Sequence, residues 1–562
     1  MKPTIRHFLG PLLASALPLF AADKDSLPPK AALDLIEPGD FLQHVKVLAS
    51  DEFEGRAPGS KGEELSVKYI TEQFMSIGLL PGNPDGTYVQ EVPLAGIKTA
   101  PTASFRIGND MTMLKFPDDY VASSARLQEE IAVKDSEIVF VGYGVVAPEY
   151  GWDDYKDVDV KGKTILMLIN DPAIPDPNDL SKLDPKMFGG QAMTYYGRWT
   201  YKYEIAAQKG AAAAIIIHET EPAAYPYSVV RTSWSKENFE LDRPNKNMDQ
   251  VSVRAWVTLD IAKQLLADSG QDFDALKKAA LGKDFRPVSI GATANFNLKQ
   301  EVRALKSRNV VGKTDGGDPK LKDEWIIYSA HWDHLGKHPE MAGDQIFNGA
   351  VDNATGVAGL MELGRAQHAL KTPAKRSVLF MATTAEEAGL LGAKWYAENP
   401  LYPLAKTLAD INMDVLNVWG KTRDIEDTSN GYSTLDDLLA AAARRHDRAM
   451  TPNSQPEKGS FYRADQFEFS KVGVPSLYIG AGKDVIGKPP EFGQQKKDEY
   501  IAQHYHQPSD EVKPAWDVSG GTEDVRLLFE VGYEVANGDK WPEWKPGNEF
   551  KAKRDAMLKG PR

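Results

Sequence analysis

The chain has 562 residues, 42% of them hydrophobic and 26% charged, with a formal net charge of −14 and no cysteine. That composition supplies ample material for a buried core and excludes wholesale disorder. An acidic chain repels phosphate backbones, which excludes nucleic acid as a partner. The absence of cysteine excludes disulfides, thiol catalysis and thiolate-bound metals, so any metal must be held by His and carboxylate side chains.

Residues 1–22 read as a secretory signal peptide. Lys2 and Arg6 make a positive start, Phe8 to Phe20 is an apolar run, and Ala21 and Ala22 follow. The small-residue cleavage rule is met imperfectly, because Leu19 or Phe20 falls where a small residue is preferred. The run is shorter than the ~20 apolar residues a membrane-spanning helix needs, and no later segment predicts a span. The expectation is an exported protein, periplasmic or extracellular.

Residues 39–80 predict two amphipathic helices, FLQHVKVLAS and EELSVKYITEQFMSIGL, separated by the turn-rich DEFEGRAPGSKG. From about 125 to about 290 the pattern turns β-rich: SEIVFVGYGVV, KTILMLIND, AAAAIIIHE and VSVRAWVTL are apolar strand candidates, with YKYEIAAQKGA as a helix between two of them. From about 305 to 540, short apolar strands (WIIYSA, SVLFMATT, LADINMD, VPSLYIG) alternate with helices, as in an α/β sheet covered by helices. The aperiodic stretch AGKDVIGKPPEFGQQKKDEYIAQHYHQPSDE predicts a long functional loop, such as a lid.

Of the ten histidines, His331, His334 and His338 follow one predicted strand, and His504 and His506 lie in the lid-like loop. His44, His218, His368 and His446 sit singly in helix or strand patterns and read as structural. His331 ends a strand, where open α/β sheets bind ligands. Asp333, two residues on, suits the carboxylate that fixes the tautomer of a metal-binding imidazole. Asp352 precedes an amphipathic helix, where it is either an N-cap or a carboxylate able to bridge two cations. Glu386 and Glu387 end a strand side by side. Such a pair is costly unless cations are present, and it suits a division of labour: one carboxylate binds metal, the other takes a proton from water. Asp414 ends a further apolar strand and needs a partner there. Each of these elements alone has an ordinary structural reading. Together they bring His and carboxylate ligands to successive strand ends of one sheet, a donor set that suits zinc and other divalent metals.

The stretches SAHWDHLG, GDQIFNGAVDNATGVAGL, TTAEEAGLLGAKWY, NMD and YHQPSDE, in this order, resemble the co-catalytic two-zinc peptidases that include bacterial leucyl aminopeptidases and glutamate carboxypeptidase. The spacing agrees too, with 21 residues from His331 to Asp352 and 35 from Asp352 to Glu387. The resemblance implies a mixed sheet flanked by helices, peptide substrates and two Zn²⁺ per chain. One zinc would be held by His331 and Asp414, the other by Glu387 and His506, with Asp352 between them. Glu386 would be the general base, Asp333 would orient His331, and Tyr505 would hydrogen-bond the tetrahedral intermediate. The middle region is similar to a protease-associated insert. The implied organisation is a signal peptide (1–22), a first catalytic part (23–124), the insert (125–295) and the main catalytic part (296–562). One departure stands out: many relatives carry Ser-Asp-His where this chain has Gln466 in the His position. The expected function is an exported aminopeptidase. A glutamate carboxypeptidase-type enzyme, a glutaminyl cyclase and a catalytically dead binding protein on the same scaffold are the alternatives. The sequence does not disclose the oligomeric state.

Overall fold

The computed structural model describes residues 27–560, so the signal-peptide reading of residues 1–22 lies outside the described residues. Helices α1 (Pro38–Leu48) and α2 (Lys61–Ile77) come first. Ser60 caps α2 by accepting from the Glu63 amide, and Gly78 ends it at φ 92°. There follow strands β1 (Val89–Ile107), β2 (Tyr120–Ser123), β3 (Glu130–Phe140) and β4 (Thr164–Leu168), helix α3 (Trp199–Gln208), then β5 (Ala213–His218), β6 (Val253–Thr258) and β7 (Val288–Thr314). The C-terminal half runs β8 (Trp325–His331), α4 (Thr355–His368), β9 (Ser377–Thr383), α5 (Leu391–Glu398), β10 (Thr407–Asn412), β11 (Asp424–Asp427), α6 (Thr434–Arg445), β12 (Ala449–Pro452), α7 (Gln466–Lys471), β13 (Ser476–Gly480), α8 (Phe492–Gln503) and α9 (Ser519–Asn537).

One mixed sheet runs β12-β11-β13-β10-β8-β9-β7-β3-β4-β5-β6-β2. The pairs β9–β8, β8–β10 and β10–β13 are parallel. Strands buried on both faces lack polar alternation, which is why WIIYSAH and SVLFMAT are continuous apolar runs with every residue buried. Their side chains alternate between two cores. Ile326, Tyr328, Ala330, Val378, Phe380 and Ala382 face α1, α4 and α9. Ile327, Leu379 and Met381 face Tyr396 of α5 and Phe469 of α7. Each of the larger apolar side chains among them contributes about 1.5–3 kcal/mol of burial. Helix α9 approaches the sheet closely at Gly532, where a Cβ would lie 1.9 Å from the Tyr328 hydroxyl.

The middle region has its own core, from Ala103 to Leu298. Here β3, β4, β5 and β6 are parallel neighbours, and β2 closes the edge antiparallel to β6. The region is thus α/β in character, with α3 crossing from β4 to β5. It joins the rest of the sheet through the long antiparallel ribbon of β1 and β7, paired from Ile107–Ala292 to Val89–Val310. Among the described residues no helix is long and apolar enough to cross a membrane.

Candidate metal centre

The C-terminal ends of β9, β8 and β10 lie side by side and deliver the site. His331 is the last residue of β8 and is buried. Its Nδ1 faces the Asp333 carbonyl at 3.2 Å, which leaves Nε2 directed at Asp352 Oδ1 (3.2 Å) and Asp414 Oδ1 (3.4 Å). Donation from Nδ1 fixes the tautomer in which Nε2 can bind a metal. Asp414 follows β10 by two residues, and the chain turns sharply after it, with Val415 at φ 59°. Asp352 sits in an irregular turn leading into α4. The amides of Val351 and Asp352 donate to the two oxygens of the Asp510 carboxylate at 3.0 and 3.1 Å.

Glu386 and Glu387 follow β9 in a turn that starts at Ala385, φ 52°. The Asp333 carboxylate accepts from the Glu386 amide at 3.0 Å, so it holds the turn that aims the glutamate pair. That is a second role for Asp333 besides its place beside His331, where its Oδ1 lies 3.8 Å from Nδ1. Glu387 meets two imidazoles: His334 Nδ1 lies 2.6 Å from Oε1, and His506 Nε2 lies 3.0 Å from Oε2. His506 also reaches Asp352 Oδ2 at 3.3 Å. It arrives from the loop after α8 in a left-handed conformation, φ 57°, and the Tyr505 ring stacks on it at 3.9 Å. Tyr505 itself is 43% exposed.

All five ligand candidates read from the sequence, together with Glu386 and Asp333, therefore converge. Two groups have ligand atoms close enough to share a cation: His331, Asp352 and Asp414, and His334, Asp352 and Glu387, with Asp352 common to both. His334 was singled out in the sequence only as one of three neighbouring histidines. Its adjacency to Asp333 was the available signal, since a His-x-Asp-His run at a strand end places both imidazoles at the sheet's edge. His504 is not part of the cluster; it contacts Ser509 and Lys513. Gln466 fills its buried position by accepting from Asn412 (2.8 Å) and donating to the Phe461 carbonyl (2.6 Å), which ties α7 to β10 behind the site. His44, His218 and His446 bond Tyr69, the Tyr225 carbonyl and Glu530, as structural histidines do.

The donor set fits divalent cations. Five carboxyl groups (Asp333, Asp352, Glu386, Glu387, Asp414) crowd three imidazoles (His331, His334, His506), and buried like charges at such separations are costly without cations. Burial drives the Glu386 carboxyl well above the usual range, with Asp414 and Glu387 adding to the rise against His331. Burial also pushes Glu387 up, but His506 and His334 outweigh it and leave that carboxyl at about 2. Adjacent glutamates whose proton affinities are driven in opposite directions suit different roles, one carrying a proton in transit and the other staying charged. The buried Nε2 of His334 and Oδ2 of Asp333 have no hydrogen-bond partner among the described residues. His, Asp and Glu together are a zinc-type donor set.

An α/β domain whose parallel strand ends gather buried His and carboxylate groups around one shared aspartate is a candidate two-metal centre. Residues 309–528, less than half of the chain but including every residue of this site, match the model of peptidase family M28. Aminopeptidase NAALADL1 of Mus musculus is 30% identical over 144 residues, covering 24% of this chain and 17% of the mouse protein. The chain thus matches about a sixth of that relative's length. The alkaline phosphatase isozyme conversion protein of Escherichia coli K12 is 28% identical over 258 residues, 41% of this chain and 68% of that protein. Among solved structures, an aminopeptidase from Aneurinibacillus sp. strain AM-1 is similar at 18% identity and a TM-score of 0.48, covering 91% of this chain and 96% of that one.

Proposed function

We propose that the chain is an exported two-zinc metallopeptidase of the aminopeptidase kind, releasing N-terminal residues from peptides. The observation that carries this reading is Asp352 shared between two His-and-carboxylate clusters, with Glu386 beside them. In the reading, His331 and Asp414 hold one zinc, Glu387 and His506 the other, and Asp352 lies between. His334 takes Oε1 of Glu387 and so turns Oε2 toward His506 and Asp352. Bound zinc would supply Lewis acidity, polarising the scissile carbonyl and acidifying water.

The chain's own residues do the proton work. Asp333 fixes the Glu386 backbone, and the Glu386 carboxylate takes a proton from the attacking water and passes it to the leaving amine. In the same reading Tyr505, whose ring stacks on His506, hydrogen-bonds the oxygen of the reacting carbonyl. The insert, as a protease-associated domain, would border the substrate entrance. In support, Tyr195 packs on Phe467 next to α7's buried Gln466, at 5.3 Å between ring centroids.

The test is release of free amino acids from a peptide panel with and without chelator. It includes N-blocked peptides with a free C-terminus and a peptide beginning with Gln. Chelator-sensitive release from free N-termini alone is expected. Cleavage of the N-blocked peptides would make the enzyme a carboxypeptidase, and cyclisation of the Gln peptide would make it a cyclase. N-terminal sequencing of the exported protein checks cleavage near residue 22.

A further inference from the structure

The segment DEFEGR, read from the sequence only as turn-forming, lies against the metal centre. Glu54, Gly55 and Arg56 are all left-handed, with φ of 46°, 67° and 54°. Gly55 is obligatory here, because a Cβ would stand 2.5 Å from the Gly336 carbonyl oxygen and 2.6 Å from that of Phe347. Non-glycine residues hold such angles only where their surroundings over-determine them. What the turn delivers is the Arg56 side chain, 1% exposed.

Among the described residues, every hydrogen bond of this guanidinium runs to a backbone carbonyl. Nε donates to Trp332 (2.8 Å), Nη1 to Leu48 (2.7 Å) and Asn348 (2.5 Å), and Nη2 to Gly349 (2.8 Å). Trp332 lies between His331 and Asp333, and Asn348 and Gly349 lead into Asp352. One planar fork therefore grips both ligand-bearing loops at fixed angles, a geometry that an ammonium cannot reproduce. Three further hydrogen bonds close the clamp. The His334 amide donates to the Arg56 carbonyl (3.3 Å), and the Asn348 side chain donates to the Ala49 carbonyl and to Asp51 Oδ1, both at 2.9 Å. The His334 ring lies directly against Gly349, whose Cβ would meet its Cδ2 at 2.6 Å.

We propose that Arg56 is a positioning residue of the metal centre, setting the separation between the His331–His334 loop and the Asp352 loop and thereby the affinity of the site for zinc. This rests on the two-zinc reading above. Burial lowers the Arg56 pKa to about 10, against the pull of Asp510, Asp352, Asp333 and Glu387, so the side chain remains a cation at neutral pH.

The test compares Arg56→Lys, Arg56→Met and Asn348→Ala with Arg554→Met. Arg554 is also buried and bonds the carbonyls of Leu404 and Thr407, remote from the ligand loops. Zinc stoichiometry and affinity are measured by competition with a chromogenic chelator, and the urea midpoint is measured in EDTA. The two Arg56 variants are expected to lose zinc affinity by about ten- to a hundredfold, the range for residues that orient metal ligands. Asn348→Ala should lose less, and Arg554→Met should lose stability with unchanged affinity. Folded Arg56 variants that hold two zinc ions at wild-type affinity would overturn the proposal. If neither Arg56 variant folds, Asn348→Ala decides: weakened affinity supports the clamp and unchanged affinity refutes it. A wild-type protein that takes up no zinc would instead defeat the two-zinc reading itself.

Discussion

Glu386 and Glu387 are chemically identical neighbours that the fold drives apart, and the consequence is measurable. Glu386→Gln is expected to keep both zinc ions and lose about 10²–10⁴ in kcat, the usual contribution of a general base. Undiminished turnover at full zinc content would remove that assignment. The imidazoles facing Glu387 should separate as well. His506→Ala is expected to hold one zinc per chain by elemental analysis, whereas His334→Ala should hold two, more weakly. An inverted result would exchange their roles. At this scale, residues that end apolar strands were legible in the sequence, since a His or Asp closing a buried run must have a partner. His334 and Arg56 were not assigned, for a physical reason. His334 contacts Glu387, which is remote in sequence, and Arg56 bonds backbone carbonyls, which leave no trace in side-chain pattern.

Between elements, α1 to α6 were legible from their periodicity, but α8 was not, since it lies in the stretch read as an aperiodic loop; α7, α9 and the ties between helices were not legible either. Helix α6 packs on α9 through His446, whose Nε2 lies 2.8 Å from Glu530 Oε2, while Arg445 pairs with both Glu530 and Glu534. Burial raises the Glu530 pKa, and His446 and Arg445 outweigh it, leaving the carboxyl below its ordinary value. A depressed folded-state pKa stabilises above the unfolded value of about 4.3 and is lost as pH falls through the folded value. The urea midpoint should therefore decline below about pH 4.3, and Glu530→Gln should flatten that decline. An unaltered acid limb in the variant would show that the tie contributes nothing. The cap of α6 is a separate contribution. Ser433 accepts from the Leu435 amide, and the Asp436 carboxylate accepts from the Ser433 amide, so Ser433→Ala should cost about 1 kcal/mol in denaturant unfolding.

Across the whole molecule, zinc should stabilise one core more than the other. At a thousandfold excess over its Kd a ligand adds about 4 kcal/mol to the state that binds it. Amide exchange in β8, β9 and β10 should slow on zinc addition and quicken with EDTA, while β4, β5 and β6 change little. Equal slowing in both regions would show that the two cores unfold as one unit. The alternation of strands and helices made the sheet that carries the candidate metal centre legible. Its fusion with the middle region was hidden, because one 27-residue strand, β7, serves both cores, and an apolar pattern cannot show where a strand changes partners. That strand also governs how the middle region can move. Its chain enters through β1 and leaves through β7, bonded to each other rung by rung, and at a second place Tyr195 is wedged among Phe467 and Phe550. The region is thus moored at two places, and the second mooring lies near the site: Gln466, next to Phe467 in α7, accepts from Asn412, two residues from Asp414.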